Sequence, residues 1–261
     1  MYPYPIIFGI DLYTIFLCIG VISAIFVFRS FSDRLKMHWK VQNFTILTAF
    51  AAIIVGYFSA VLFQAFYDIE SRGGFIIDKA TGATFYGGLI GGAACFLAIY
   101  FGIGKFVFKD RIHLKSFFAV ADIAAASIAI AHAFGRIGCL MAGCCYGKIT
   151  DASYAVYMPA INASAVPVQL YEAIFLFLLF GFFTYRVYTS RSCNLPLYMA
   201  LYGVWRFVIE YFRTDDRGST IVSFLTPSQL TAVLMVIGSV ALFILQNKIM
   251  KKAKENTADE E

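Results

Sequence analysis

This chain has very little charge. Only 14% of its 261 residues are Asp, Glu, Lys or Arg, against 60% that are hydrophobic. That balance leaves too little polar surface to cover a water-soluble globule of this size, so an integral membrane protein is expected. No nucleic-acid partner is expected. No Lys or Arg precedes the first apolar stretch, MYPYPIIFGIDLYTIFLCIG, which therefore lacks the basic leader of a secretory signal and reads as a retained first span. No Cys-x-x-Cys pair occurs, and the cysteine spacing matches no common zinc pattern. No internal repeat or long linker breaks the chain, so a single domain is expected over 1–248, with a charged, unordered cytoplasmic tail over 249–261.

What the chain does have is apolar runs of membrane length. Seven are legible, at about 11–28, 44–66, 86–104, 117–135, 168–188, 196–213 and 226–247. The expected fold is thus an all-α integral membrane protein of seven transmembrane helices. Basic residues alternate between the connections. Arg29, Arg34, Lys36 and Lys40 lie in the first, Lys105, Lys109, Arg111 and Lys115 in the third, and Arg186 and Arg191 in the fifth. Lys248, Lys251, Lys252 and Lys254 lie in the tail, whereas Asp68, Glu70, Asp78, Asp151, Asp215 and Asp216 mark the even connections. By the positive-inside rule the N-terminus lies outside and the C-terminus in the cytoplasm.

Ionisable residues inside such runs are costly and point to a cavity or a partner. Asp122, Arg136 and Glu172 stand out, and LYGVWRFVIEYFR holds the densest set. There Tyr202, Arg206, Glu210 and Arg213 follow at spacings of four, four and three, which places them on one helical face. One reading is an internal salt bridge that merely packs helices. The other is an anion site, because two arginines outnumber one acid and Arg136 adds to the surplus. Guanidinium forks suit phosphate, and the phosphate abundant in a membrane is a lipid headgroup. In TFYGGLIGGAA, Gly87 and Gly91, and likewise Gly88 and Gly92, stand four apart, as close helix packing requires. The segment HAFGRIGCLMAGCCYGK holds Cys139, Cys144 and Cys145, which are expected to be free thiols or a disulfide rather than a metal site.

In order along the chain, DLYTIFLCIG, TFYGGLIGG, Asp122, GRIGCLMAGCCYG, VPVQLYEA, YGVWRFVIEYFR and TPSQLTAVLMVIGS resemble one family, the prolipoprotein diacylglyceryl transferases of bacterial inner membranes. The resemblance implies an enzyme that moves the diacylglyceryl group of phosphatidylglycerol onto the lipobox cysteine thiol of a secreted precursor, releasing glycerol phosphate. It implies multi-pass residence in the plasma membrane, an active face towards the outer leaflet, and recognition of prolipoprotein signal peptides. It implies no cofactor and no metal. Carried over by position, Arg136, Arg206 and Glu210 are the implied catalytic residues, with Tyr86 where the family has His. Tyr13, Gly87, Gly88, Arg136, Gly147, Tyr202, Arg206 and Arg213 are implied to bind substrate. Cys139 and Cys144 stand where the signature carries Asn and Glu. His132, four residues before Arg136, is a further candidate base. The alternatives are a paralogue with a changed acceptor or a redox-linked role, and a non-enzymatic seven-helix transporter or anionic-lipid-binding protein.

Overall fold

The computed structural model describes residues 4–6, 9–78, 81–213 and 224–258. The chain is mostly helical. In order run α1 (Leu12–Arg34), α2 (Trp39–Tyr67), the single turn α3 (Ile69–Arg72), α4 (Phe85–Leu97), a π-helical stretch Ala98–Ile103, and α5 (Gly104–Val107). Then follow α6 (Ile112–Ala142), α7 (Val168–Tyr188), α8 (Asn194–Ile209) with a 3-10 turn at Glu210–Phe212, and α9 (Pro227–Ala258). Six helical segments are long and apolar enough to cross a membrane: α1, α2, Tyr86–Val107, α6, α7 and Pro227–Lys252. The stretch expected as a further span over 196–213 is α8, only 16 residues long, and its 3-10 turn. Phe26, Leu47, Phe58, Leu178 and Ile237 are exposed on these helices. That much apolar surface is costly in water and suits hydrocarbon. The charged end of α9 continues as helix, with Lys251 and Glu255 paired one turn apart. Asp215 and Asp216 lie outside the described residues.

Between α6 and α7 the all-helical expectation gives way to a small antiparallel hairpin, β1 (Val156–Met158) and β2 (Ala163–Ala165). Its cause is local. Pro159 and a left-handed Asn162 at φ 49° form the turn between two short segments that place Met158 and Ala165 inward.

The chain divides into two compact units, Met1–Phe31 with Ala121–Glu261, and Ser32–Val120. In the second, α2 and α4 meet through glycine. A Cβ on Gly87 would lie 2.6 Å from Phe63 Cβ, and one on Gly56 would lie 3.0 Å from the Gly88 carbonyl oxygen. The glycine pairs legible in the sequence thus serve close helix packing. Thr84 fixes the start of α4 by donating its hydroxyl to Gln64 Oε1 at 2.6 Å.

In the first unit, α6 lies deepest. Ala125, Ala129 and Ala133, one turn apart, are fully buried. Small residues at this spacing let neighbouring helices close on the backbone. α1 packs on α6 through two more, since a Cβ on Gly20 would lie 2.8 Å from the Ala131 carbonyl oxygen and one on Gly138 3.2 Å from Tyr13. Asp122, the buried acid noted early in α6, caps α8. Its carboxylate accepts from the backbone N–H of Asn194 at 2.7 Å and of Cys193 at 3.2 Å, and from Gln246 Nε2 at 3.0 Å. One side chain therefore ties α6, α8 and α9 and answers the unpaired donors at a helix start. Asp122→Ala would leave those donors buried without an acceptor. It is expected to destabilise the fold by about 2–3 kcal/mol, read as a lower Tm in detergent.

Candidate active site

The site grows from α8. Four-residue spacing puts Tyr202, Arg206 and Glu210 on its inner side, and all three are buried, as is Arg213 just past the 3-10 turn. Val204 and Val208, on the opposite side, are exposed. Arg206 Nη1 lies 2.8 Å from Glu210 Oε2, the i,i+4 pair the sequence suggests.

α9 reaches this pair through its own start. Thr226-Pro227-Ser228-Gln229 is a capping box: Thr226 Oγ1 accepts from the Gln229 N–H at 3.2 Å, and Gln229 Oε1 accepts from the Thr226 N–H at 3.1 Å. Proline sits at the first helical position, where no donor is needed. The box brings Ser228 Oγ to Arg206 Nη2 at 2.7 Å and lets the Thr226 hydroxyl donate to Glu210 Oε1 at 3.1 Å.

The second arginine is held from α7. Arg136 Nη2 donates to Glu172 Oε1 at 2.9 Å, the Tyr202 hydroxyl donates to the same oxygen at 2.7 Å, and His132 Nε2 lies 3.8 Å from it. Glu172 is fully buried. The Tyr202 ring stacks on Tyr198 and meets His132 edge-on at 5.0 Å. Arg136 Nε and Glu172 Oε2 are buried and find no hydrogen-bond partner among the described residues. Arg136 and Arg206 each engage one acid here, Glu172 and Glu210, and Arg213 is buried just past the 3-10 turn. In a low-dielectric setting the Arg136 Nε–H left over suits an oxygen of an anion.

The loop after α6 closes the site on one side. Gly143 and Cys145 are both left-handed, at φ 72° and 61°, so the chain reverses sharply. Gln169 Nε2 donates to the Cys144 carbonyl at 2.6 Å, and the Cys144 N–H to the Cys139 carbonyl at 3.1 Å. Gly147 then passes where no side chain fits. A Cβ there would lie 2.5 Å from Val168 Cγ2 and 2.6 Å from the Phe212 carbonyl oxygen. The neighbouring Lys148 N–H donates to that same carbonyl at 3.0 Å. The sulfurs of Cys139, Cys144 and Cys145 lie within 4.8 Å of one another, and all three thiols are free. Hydrogen bonds from the Cys139 and Cys144 thiols hold the Cys145 thiol far below its ordinary pKa, with Arg136 and Arg213 acting in the same direction. Cys144 is pushed up by the same contacts, with Cys139 foremost.

Of the residues expected from the sequence, Arg136, Tyr202, Arg206, Glu210, Arg213 and Gly147 all lie in the first unit, with Arg136 and Tyr202 joined through Glu172 and Arg206 paired with Glu210. Tyr13 lies there too, against Gly138 near the end of α6. Tyr86, Gly87 and Gly88 lie in the second unit, at the start of α4. Sequence reasoning gave no role to Glu172, Thr226, Ser228 or Gln169. Glu172 carried a signal, being an acid inside an apolar run. For Ser228 and Thr226 the signal was the capping box.

Compared with known proteins, residues 4–245 match the family described as prolipoprotein diacylglyceryl transferase. The chain is 30% identical to a Clostridium perfringens (strain 13 / Type A) protein named phosphatidylglycerol–prolipoprotein diacylglyceryl transferase 2, with 97% of each chain covered. It is 31% identical to the phosphatidylglycerol–prolipoprotein diacylglyceryl transferase of Clostridium tetani (strain Massachusetts / E88), over 91% of this chain and 94% of that one. A protein of the same name from Hydrogenovibrio crunogenus (strain DSM 25203 / XCL-2) is 32% identical over 83% of each.

Proposed function

The chain belongs to the prolipoprotein diacylglyceryl transferase family, and from that premise we propose that it transfers the diacylglyceryl group of phosphatidylglycerol to the lipobox cysteine of a secreted prolipoprotein. The cysteine thiol gives up its proton to water, and its sulfur attacks the glyceryl carbon that bears the phosphate ester. A carbon–sulfur bond forms, the carbon–oxygen bond breaks, and glycerol phosphate leaves with the electron pair.

The observation that carries this reading is the buried arginine set. Arg206 is held by Glu210 and Ser228, and Arg136 by Glu172, which fixes their forks before substrate arrives. The free Nε–H of Arg136 remains for a phosphate oxygen. Donors fixed in advance stabilise the charge that develops on the leaving phosphate without reorganising. Arg213 adds cationic field. Glu172 and Glu210 position the arginines, and Tyr202 links the two pairs by sitting on α8 beside Arg206 and bonding Glu172. Gly147 lets the signature loop close on α7 and the end of α8.

The same reading includes a seventh crossing. α8 and its 3-10 turn together extend about 30 Å, close to the hydrocarbon thickness of a bilayer. With seven spans the basic connections face the cytoplasm, and the end of α6 that carries Arg136 and the 3-10 turn that leads to Arg213 face the outer leaflet of a bacterial plasma membrane. A secreted prolipoprotein presents its cysteine at that level.

The test is complementation. Expressed in a bacterium depleted of its own transferase, the chain is expected to restore growth and lipidated lipoproteins. Accumulation of unmodified prolipoprotein, with the chain present in the membrane, would contradict the reading.

A further inference from the structure

We propose that Cys139, Cys144 and Cys145 bind one zinc(II) ion as three thiolate ligands, and that the open fourth position takes the acceptor's cysteine sulfur. The second half of this inference rests on the transferase reading above.

The sulfur geometry is the starting point. A tetrahedral ion with zinc–sulfur bonds near 2.3 Å needs sulfurs about 3.8 Å apart, and the three here lie within 4.8 Å of one another. Each pair has to close by at most about 1 Å. Adjacent cysteines ordinarily diverge, and the left-handed backbone at Cys145 brings both onto Cys139. The loop is fixed independently of any ion, by Gln169 on the Cys144 carbonyl and by the Cys144 N–H on Cys139. Among the described residues, no fourth His, Cys, Asp or Glu joins the group. Three protein ligands and one open place is the pattern of a zinc site that acts on a ligand, whereas a structural site is closed by four. Cys144 is exposed and the other two half-buried, so the open place is reachable from outside.

Charge agrees. Three thiolates around zinc(II) carry a net negative charge, and Arg136 and Arg213 both act electrostatically on Cys145. The site also needs a means of ionising a thiol. Glu172 is paired with Arg136 and Glu210 with Arg206, so each carboxylate already has a counter-ion. A thiol that coordinates zinc is deprotonated outright, its proton passing to water. The zinc-held sulfur then attacks the glyceryl carbon, and the carbon–oxygen electron pair leaves on glycerol phosphate. The thioether product, uncharged and a weaker ligand, departs.

The experiment uses Co2+ as a spectroscopic stand-in for zinc. The purified full chain, reduced and stripped of metal in detergent, is titrated with Co2+. One ion per chain is expected, with sulfur-to-cobalt charge-transfer absorption and tetrahedral d–d bands, both absent in Cys139→Ser and Cys144→Ser. A lipobox peptide is expected to shift the d–d bands, and the same peptide with serine for cysteine to leave them unchanged. Where substitution unfolds the chain, the unsubstituted protein supplies a second measure: Zn2+ should shield three of its six cysteines from alkylation, mapped by mass spectrometry. Failure to bind Co2+, a disulfide within the cluster in the isolated protein, or d–d bands indifferent to the thiol peptide would overturn the proposal. Stripping the metal is expected to slow transfer at least about tenfold, and Zn2+ to restore it. Full activity of the stripped chain would sink the zinc inference and leave the transferase reading standing. Cobalt spectra that respond to the peptide, without transfer under any condition, would support the site and sink the transferase reading.

Discussion

Arg206→Lys is expected to lower kcat/KM for diacylglyceryl transfer by about 10²–10³ while the protein stays folded. Removing one fixed donor from a developing oxyanion costs about 3–4 kcal/mol of transition-state stabilisation. Lysine retains the charge and the pairing with Glu210, so the buried acid keeps a counter-ion. It lacks the planar fork, however, and cannot hold Glu210 through one nitrogen, Ser228 through another and a phosphate oxygen besides. The effect should therefore fall mainly on kcat. Arg136→Lys is expected to behave alike, because Arg136 must hold Glu172 and still present its Nε–H. Arg206→Ala should abolish the activity, at the further cost of an uncompensated Glu210. The check is initial-rate kinetics on variants whose Tm lies close to that of the parent. Lysine variants with ordinary rates would show that the arginines serve packing alone.

Glu172→Ala is expected to be the most damaging single change to the fold around the site. It leaves Arg136 as an uncompensated charge in a largely buried place and removes the acceptor of the Tyr202 hydroxyl. Breaking one side of a buried pair typically costs about 3–5 kcal/mol, a large part of a domain's stability. The contrast with the double variant is the telling part. Removing both charges, as in Glu172→Ala with Arg136→Met, should recover much of the lost Tm, because no unpaired ion remains. Activity should not return, because the phosphate has lost its donor. A double variant as unstable as Glu172→Ala would show that Glu172 matters for packing and not for holding the arginine. Thermal unfolding in detergent and the transfer assay, run on the three proteins together, separate these outcomes.

The contrast between Arg206 and Glu172 also marks what the sequence could disclose. Arg206 and Glu210 sit one turn apart on a single helix, so their pairing follows from helical geometry before any tertiary structure exists. Glu172 and Arg136 are 36 residues apart, and no local rule joins them. The sequence exposed each as an ionisable group in an apolar run but not that they pair. The arginine surplus read from Arg206, Glu210, Arg213 and Arg136 shrinks once Glu172 joins the set, because Arg136 and Arg206 then each have one acid. Asp122 behaves similarly. Its burial was legible and its partners, the start of α8 and Gln246, were not, because they lie 72 and 124 residues away.

Helices were legible wherever apolar runs reached membrane length. The segment 168–188 coincides with α7. The stretch over 196–213 was harder, since polar groups interrupt it and the structure ends the α-helix at Ile209. The hairpin at β1 and β2 has strands of three residues, too short for a period-two pattern to rise above the surrounding loop. The three cysteines were legible as one group, but not the approach of their sulfurs to within 4.8 Å. Spacing rules assume ordinary backbone, and at Cys145 the backbone is left-handed. Gly147 was marked by the resemblance, and the structure supplies its cause: Val168 and the Phe212 carbonyl occupy the space a side chain would need.

The most direct measurement is the mass of the product. The purified chain, mixed with phosphatidylglycerol and a peptide carrying a lipobox cysteine, is expected to yield a peptide heavier by one diacylglyceryl group, bonded through sulfur, with glycerol phosphate released in equal amount. Unchanged peptide, under conditions in which the Clostridium perfringens relative modifies it, would contradict the account.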